Sequence, residues 1–340
     1  MPDPIFPTQY STLSAAALKD ALEPRYGLSD MNCRLLIRNV SDTYLLKNNA
    51  SDEKYIFKIY RDNHRKLEEI KAEVELLNLL SDNGARVSYP LKAINGDQIQ
   101  SFNAAEGTRY GVLFSFAQGK VIYDMTNSQL ETLGTQMAKI HQITANIDLH
   151  YKRKSYDIDT TILQPLQILE TAFRQYDLEE EYSWLKTTAA QVVERLKEFD
   201  TETFSYGYCH YDFFPKNFHF AENGDITFFD FDFAGKGYLA WDITSFAIHP
   251  FLQQNYGQIN RLEASQMMET FLSAYKKIKS VSNQEIDAVP YLGFGFWVFY
   301  LGFQYESFDD WSNTFFGKKF ISDRIALIKK WMEYSTGLSR

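Results

Sequence analysis

The stretch Tyr208–Asp242, YCHYDFFPKNFHFAENGDITFFDFDFAGKGYLAWD, constrains this chain more than any other. It sets seven side chains able to carry chemistry (His210, Asp212, Lys216, Asn217, His219, Asp230 and Asp232) among phenylalanines and tyrosines. Carboxylates in apolar surroundings are costly to desolvate, so a plain packing role does not account for all of them. Their order is the sharper clue. His-x-Asp is followed by an Asn five residues after that Asp, then by an apolar strand ending in Asp. That layout matches the parts of a phosphoryl-transfer site.

A chain of 340 residues is long enough for two domains or one large unit in two lobes. Its formal net charge of −9 argues against general nucleic-acid binding, which rests on basic surfaces. Cys33 and Cys209 are far apart, so neither a disulfide framework nor a zinc knuckle is expected, in keeping with a reducing cytoplasm. The N-terminal MPDPIFPTQYST lacks a basic region followed by an apolar run, so no signal peptide is expected. Ala288–Tyr305 is uncharged over 18 residues but holds Pro290 and three glycines and has no basic flank. A buried helix is expected there, not a membrane span.

Along the chain, Ser11–Leu22 reads as a short amphipathic helix stopped by Pro24. Met31–Val40 and Tyr44–Lys47 read as strands around a tight connection, Asn39–Thr43, with a third strand at Lys54–Tyr60. In that third strand, YIFKIY, Lys58 is either a lysine on a solvated face or one that grips nucleotide phosphates. A helix follows over Arg65–Ser81, burying Ile70, Val74, Leu77 and Leu80. Glu73 beside that stripe is placed to pair with Lys58, as are Glu69 and Glu75. Residues 86–116 hold two or three more strands and end in YGVLFSF. Ser128-x-x-Glu131 is a capping-box pattern opening a helix to about Thr144, on which His141 reads as a packed histidine. Residues 157–199 are helical in pattern, and four further helices are expected at about 238–249, 262–279, 287–304 and 318–334. The class is α+β, with a β-rich region at 1–114, a hinge at 115–119 and a mainly helical remainder at 120–340.

Within the central stretch, Asn223-Gly224 is a strong hairpin signal, because a type I′ turn needs positive φ at both central residues. Counting outward from that turn, Asn217 and Asp230 oppose each other, with Cβ atoms roughly 5 Å apart. An amide oxygen and a carboxylate so placed suit Mg²⁺, which takes one or two protein groups plus phosphate oxygens and water. Asp212 would lie in the loop beside them, placed to accept a proton from a substrate hydroxyl. Three rival readings are a mixed His/carboxylate transition-metal site, a Cys209–His210 nucleophile–base pair, and a structural hairpin with solvated carboxylates.

Together HYDFFPKN (His210–Asn217), ITFFDFDFAG (Ile226–Gly235) and Trp241-Asp242 resemble the aminoglycoside phosphotransferase and choline kinase superfamily, which includes type II homoserine kinases. Lys58 in YIFKIY, Glu73 in AEVELLNLL and LFSFAQG (Leu113–Gly119) match its other landmarks in order, so the resemblance covers about residues 30–245. The resemblance implies a protein-kinase-like fold of two lobes, with ATP and Mg²⁺ as cofactors and a small molecule bearing a hydroxyl as acceptor. It further implies that Asp212 orients or deprotonates the acceptor hydroxyl and that Asn217 and Asp230 hold magnesium. Lys58 would bind the α/β phosphates, paired with Glu73, and Ser115, Phe116 and Ala117 would present backbone groups to adenine. His210 and Asp242 would brace the loop, and Asp232 would support a second metal ion or the loop. Tyr211 stands where the family usually has glycine, and the Asn39–Thr43 connection has no glycine at all.

The acceptor is expected to draw on the last hundred residues. Phe294, Phe296, Trp297, Tyr300 and Phe303, followed by Tyr305, Asp309, Asp310 and Trp311, read either as core or as an aromatic and acidic wall for an ammonium group. Choline, ethanolamine, homoserine or an aminoglycoside would suit such a wall. A Ser/Thr protein kinase and a nucleotide-binding pseudokinase are the alternatives. The first fits poorly with an acidic chain that has no evident activation segment. The second fits poorly with retention of Lys58, Asp212, Asn217 and Asp230.

Overall fold

The computed structural model describes residues 8–307 and 313–336. They divide into two compact units. One holds the chain up to Asp82 with Val87–Ala117 and Leu149–Lys152; the other holds Asn83–Arg86, Gln118–Asp148 and the chain from Arg153 onward.

In the first unit α1 (Ala15–Tyr26) precedes β1 (Met31–Arg38), β2 (Ser41–Asn48) and β3 (Lys54–Tyr60). Then come α2 (Leu67–Asp82), β4 (Ile99–Ala104) and β5 (Gly107–Ser115). The five strands form one antiparallel sheet in the order β1-β2-β3-β5-β4. Leu18 and Leu22 of α1 pack on Met31, Tyr44, Leu46, Phe57, Ile59 and Leu113, which is why an apolar stripe on α1 meets alternate strand residues.

Two expectations shift here. The helix α1 is capped by Ser14 and runs through Pro24, which lies in its last turn, so that the lost N–H and the crowded carbonyl four residues earlier disturb only the helix end. It stops at Gly27, whose left-handed φ of 67° lets the Leu28 N–H close on the Glu23 carbonyl at 2.9 Å. The connection between β1 and β2 is also shorter than Asn39–Thr43. Asp42 and Thr43 already pair with both neighbouring strands, and the Asp42 carboxylate is buried 3.6 Å from Arg109.

The second unit contains α3 (Asn127–Thr144), β6 (Ser155–Tyr156), α4 (Gln164–Gln175), α5 (Glu179–Lys197) and β7 (Tyr206–Cys209). Next come β8 (Phe218–Phe220), β9 (Ile226–Phe228) and β10 (Gly235–Tyr238). It closes with α6 (Ala240–Asn255), α7 (Arg261–Lys276), α8 (Asn283–Ser307) and α9 (Lys318–Thr336). A small sheet runs β6-β10-β7, and β8 pairs with β9 alone. The capping box of α3 lies two residues earlier than expected, with Thr126 and Gln129 exchanging side-chain and backbone bonds. The helical region 157–199 is broken at Asp177, whose φ of 51° separates α4 from α5.

Ala288–Tyr305 lies within α8, which packs against α4, α6 and α9. A helix that is apolar all round is buried in a core of this size. Among the described residues no helix is long and apolar enough to cross a membrane. Gly119, at φ 99°, lets the chain approach β8 closely: a Cβ there would sit 2.1 Å from the Phe220 carbonyl oxygen. Lys120 and Phe220 then exchange backbone bonds at 3.1 and 3.0 Å.

Candidate active site

The loop from His210 to Asn217 is held from below by the first turn of α6. Asp242, fully buried, accepts the His210 N–H at 2.8 Å and the Tyr211 N–H at 2.6 Å. It also accepts from His141 Nε2 at 3.0 Å, and His141 Nδ1 faces the Tyr275 hydroxyl at 2.8 Å. Ser245 Oγ, one turn on, accepts the Phe213 N–H at 3.0 Å. Three donors hold this buried carboxylate in place, and two of them are backbone groups of the loop, which it thereby fixes.

His210 points the other way. Its Nδ1 accepts the Asp212 N–H at 3.2 Å, so Nε2 carries the proton and donates to the Phe229 carbonyl at 3.0 Å. Tyr211 between them has φ 68°, the left-handed region that glycine adopts freely and other residues enter at a cost of about 1–2 kcal/mol. Packing outweighs that cost. The fully buried Tyr211 ring stacks on Tyr156 at 3.6 Å, with Trp241, Phe296 and Phe299 at 5.4, 5.4 and 5.1 Å.

The braced loop presents Asp212. Its Oδ2 accepts from Asn217 Nδ2 at 2.8 Å and lies 2.8 Å from Lys216 Nζ, and only 3% of the residue is exposed. Asn217 Nδ2 also donates to the Asp212 carbonyl at 2.8 Å, so both donor bonds of that amide go to Asp212 and Oδ1 is its acceptor atom. Low-dielectric surroundings would lower the Lys216 pKa, but Asp212 and then Asp230 override them and raise it. A cation therefore already sits in the field of both carboxylates. The carboxylates of Asp212 and Asp230 and the Asn217 amide oxygen are hard oxygens of the kind that Mg²⁺ takes.

The hairpin register differs by one residue from the expected pairing. Phe218 pairs with Phe228 and Phe220 with Ile226, and the Phe229 N–H donates to the Asn217 carbonyl, so Asn217 opposes Phe229. The cause is the turn. Only Gly224 has positive φ (84°), and the Ala221 N–H reaches the Asp225 carbonyl around a three-residue loop, Glu222–Gly224, in place of a two-residue type I′ turn. Asp230 leaves the strand in a left-handed conformation (φ 63°, ψ 58°), which re-aims its exposed side chain. Asp232 follows it, buried, in the turn Phe231–Phe233.

In the first unit, Lys58 is buried on β3 with its Nζ 3.9 Å from Glu73 Oε1. Glu75 instead accepts the backbone N–H groups of His150 and Tyr151, and Glu69 neighbours Arg65 at 3.9 Å. Glu73 is thus the partner. At Ser115 the backbone N–H donates to the Tyr89 carbonyl and the carbonyl accepts the Ser88 hydroxyl, so of Ser115, Phe116 and Ala117 the first has no backbone N–H to offer a base.

The rival arrangements gain nothing from this geometry. Among the described residues no group of three or more His, Cys, Asp or Glu converges as metal ligands. Burial, and then Asp242, push the Cys209 thiol well up, and its Sγ faces the Tyr238 carbonyl at 3.1 Å. It is an inert core thiol.

The sequence profile of the phosphotransferase enzyme family (APH) matches residues 34–266, more than half of the chain. The chain belongs to this family. A Synechocystis sp. protein described as uncharacterized is 31% identical over 289 residues, covering 84% of this chain and 77% of that one. The amicoumacin kinase hAmiN, solved with AMP-PNP, Ca²⁺ and Ami, superposes with TM-score 0.73 at 18% identity, covering 95% of this chain and 93% of that one. The microcompartment-associated aminopropanol kinase gives the same TM-score and identity over 95% and 97% of the two chains. The fold of this family member is thus the α+β, protein-kinase-like one.

Three positioning residues of this phosphotransferase-family chain were not singled out by motif. His141 reads as a packed histidine in the sequence and turns out to support Asp242. Ser245 carried no signal beyond lying one turn from Asp242. Arg153 gathers the carbonyls of Phe231, Asp232 and Ala234 at 2.9, 2.6 and 2.6 Å, pinning the turn after Asp230. Its only hint was an arginine outside any helix pattern.

Proposed function

We propose that the protein transfers the γ-phosphoryl group of ATP, with Mg²⁺, to a hydroxyl of a small amine-bearing metabolite or antibiotic, of the choline, ethanolamine, homoserine or aminoglycoside type. The observation that carries this reading is Asp212: a buried carboxylate on a loop fixed by Asp242, bonded to Asn217 and Lys216. In this role Asp212 orients the acceptor hydroxyl and takes its proton as the oxygen bonds to the γ-phosphorus. The β–γ bridging oxygen leaves with ADP. Asn217 Oδ1 and Asp230 would hold the metal, which when bound supplies charge neutralisation at the phosphate oxygens.

Lys58, held by Glu73, would bind the α/β phosphates, and Phe116 and Ala117 would offer backbone groups to adenine. His210, Asp232 and Asp242 shape the loop without touching the reacting atoms. Support for nucleotide and divalent metal comes from the hAmiN structure, which holds AMP-PNP and Ca²⁺; support for an amino-alcohol acceptor comes from the aminopropanol kinase.

The test is Asp212→Ala. Turnover of ATP with acceptor should fall about 10²- to 10⁴-fold while Mg-ATP binding, measured by calorimetry, persists. Asp230→Asn should instead weaken Mg-ATP binding. Undiminished turnover in Asp212→Ala would sink the assignment.

A further inference from the structure

Along α8, Trp297, Tyr300 and Gln304 follow one another at the three- and four-residue spacing of a single helix face. Each carries a buried polar atom that makes no hydrogen bond of regular geometry among the described residues: Trp297 Nε1, the Tyr300 hydroxyl, which Asp212 faces, and Gln304 Oε1. Buried donors and acceptors are normally satisfied, and three without a regular bond on one face mark a surface built for a partner that is not protein. Phe296 and Phe303 flank that face on one side and Phe294, three residues before Trp297, flanks it on the other. Asp309, Asp310 and Trp311 lie outside the described residues.

The middle of the face adjoins Asp212. Burial, and next the Asp212 carboxylate, push the Tyr300 phenol well above its ordinary range. The ring stands 4.6 Å from Phe296, which packs on Phe214 of the Asp212 loop at 5.7 Å. One turn away, the Arg324 guanidinium lies over the Trp297 ring at 5.2 Å and over Phe320 at 5.3 Å. Burial draws the Arg324 pKa down with only Tyr256 opposing, so among the described residues no carboxylate contributes to its field. A half-buried guanidinium stays charged and prefers a planar anion.

We infer that the acceptor carries a carboxylate as well as its hydroxyl, with Arg324 and the Trp297 indole N–H reading the carboxylate one helical turn from the hydroxyl at Tyr300 and Asp212. The inference rests on the phosphotransferase reading and narrows its acceptor to a hydroxy acid or hydroxy amino acid. Residues three apart on a helix have Cβ atoms roughly 5–6 Å apart, a span that a short aliphatic chain covers. Gln304 Oε1, one turn further, accepts from a hydroxyl or ammonium of the same molecule. A purely cationic amino alcohol would leave Arg324 without an anion and bring a second positive charge toward it.

Matched pairs differing only by the carboxylate test this: L-serine with ethanolamine, L-homoserine with 3-aminopropan-1-ol, and L-threonine with 1-aminopropan-2-ol. ADP release is followed with ATP and Mg²⁺, and binding of each compound is measured by calorimetry on the intact protein. The acids should be preferred in kcat/KM, and Arg324→Gln should shrink that preference about 10- to 100-fold, with partial rescue in Arg324→Lys. Trp297→Phe, which keeps the ring and deletes the N–H, should shrink it less, and serves if Arg324→Gln does not fold. Preference for the amino alcohols, an unaltered ratio in Arg324→Gln, or no binding of any acid overturns the inference. Arg324-dependent binding of an acid without ADP release would keep the inference and count against the phosphotransferase reading.

Discussion

The loop His210–Asn217 and the α8 face Trp297–Gln304 lie in the same unit and are both rich in aromatic and polar groups, yet apart from the Tyr211 hydroxyl, which also lacks a partner among the described residues, their polar atoms are treated in opposite ways. In the loop, the backbone N–H groups of His210, Tyr211, Asp212 and Phe213 all donate to named acceptors, and Asp212 is bonded on the side facing Asn217 and Lys216. On α8, three buried polar atoms in a row make no hydrogen bond of regular geometry among the described residues. A site whose chemistry must be positioned is over-determined by its own protein. A site that must receive another molecule keeps bonding capacity in reserve.

That contrast can be broken by substitution, most severely at Asp242. Asp242→Ala strands two backbone N–H groups and His141 in a dry interior, and should destabilise the protein by about 3–5 kcal/mol in urea titrations. A loss under about 1 kcal/mol would show that the loop is not held from α6. Tyr211→Gly is next. Relief of the left-handed backbone recovers about 1–2 kcal/mol, but loss of a fully buried aromatic costs about 3–5, so a net loss of about 2–3 kcal/mol is expected. Stabilisation by that glycine would mean that strain, not stacking, dominates at this position. Tyr300→Phe is the smallest and has the opposite sign. Removing a buried hydroxyl that faces Asp212 without a hydrogen bond of regular geometry should leave the urea midpoint unchanged or raise stability by up to about 1 kcal/mol, while raising the acceptor KM. A marked loss of stability would show that the hydroxyl has a structural partner.

The spacing of His210, Asp212, Asn217 and Asp230 was legible because each is tied to a local element: a loop after β7, a strand, a turn. Lys58 was legible for the same reason, lying in a strand whose ends were read without error, Lys54–Tyr60. The register opposite Asn217 was not legible. Asn-Gly serves both a two-residue turn and a three-residue turn with a bulge, and the backbone bond from Ala221 to Asp225 selects the second. The residue pairing with Lys58 was also open among three glutamates of one helix, since helix periodicity places several near the same edge.

What the sequence by itself determined is the α+β class, the family, and the identity of the polar residues gathered between Tyr208 and Asp242. These depend on neighbours in the chain, whose spacing local geometry turns directly into position. Only the tertiary structure decided which groups support them, His141 beneath Asp242 and Arg153 on the carbonyls after Asp230, and which cation lies over Trp297, namely Arg324. Those partners come from elements separated by tens of residues or more, and burial decides which of many possible polar groups must meet, because an unmet one is too costly to keep in the core.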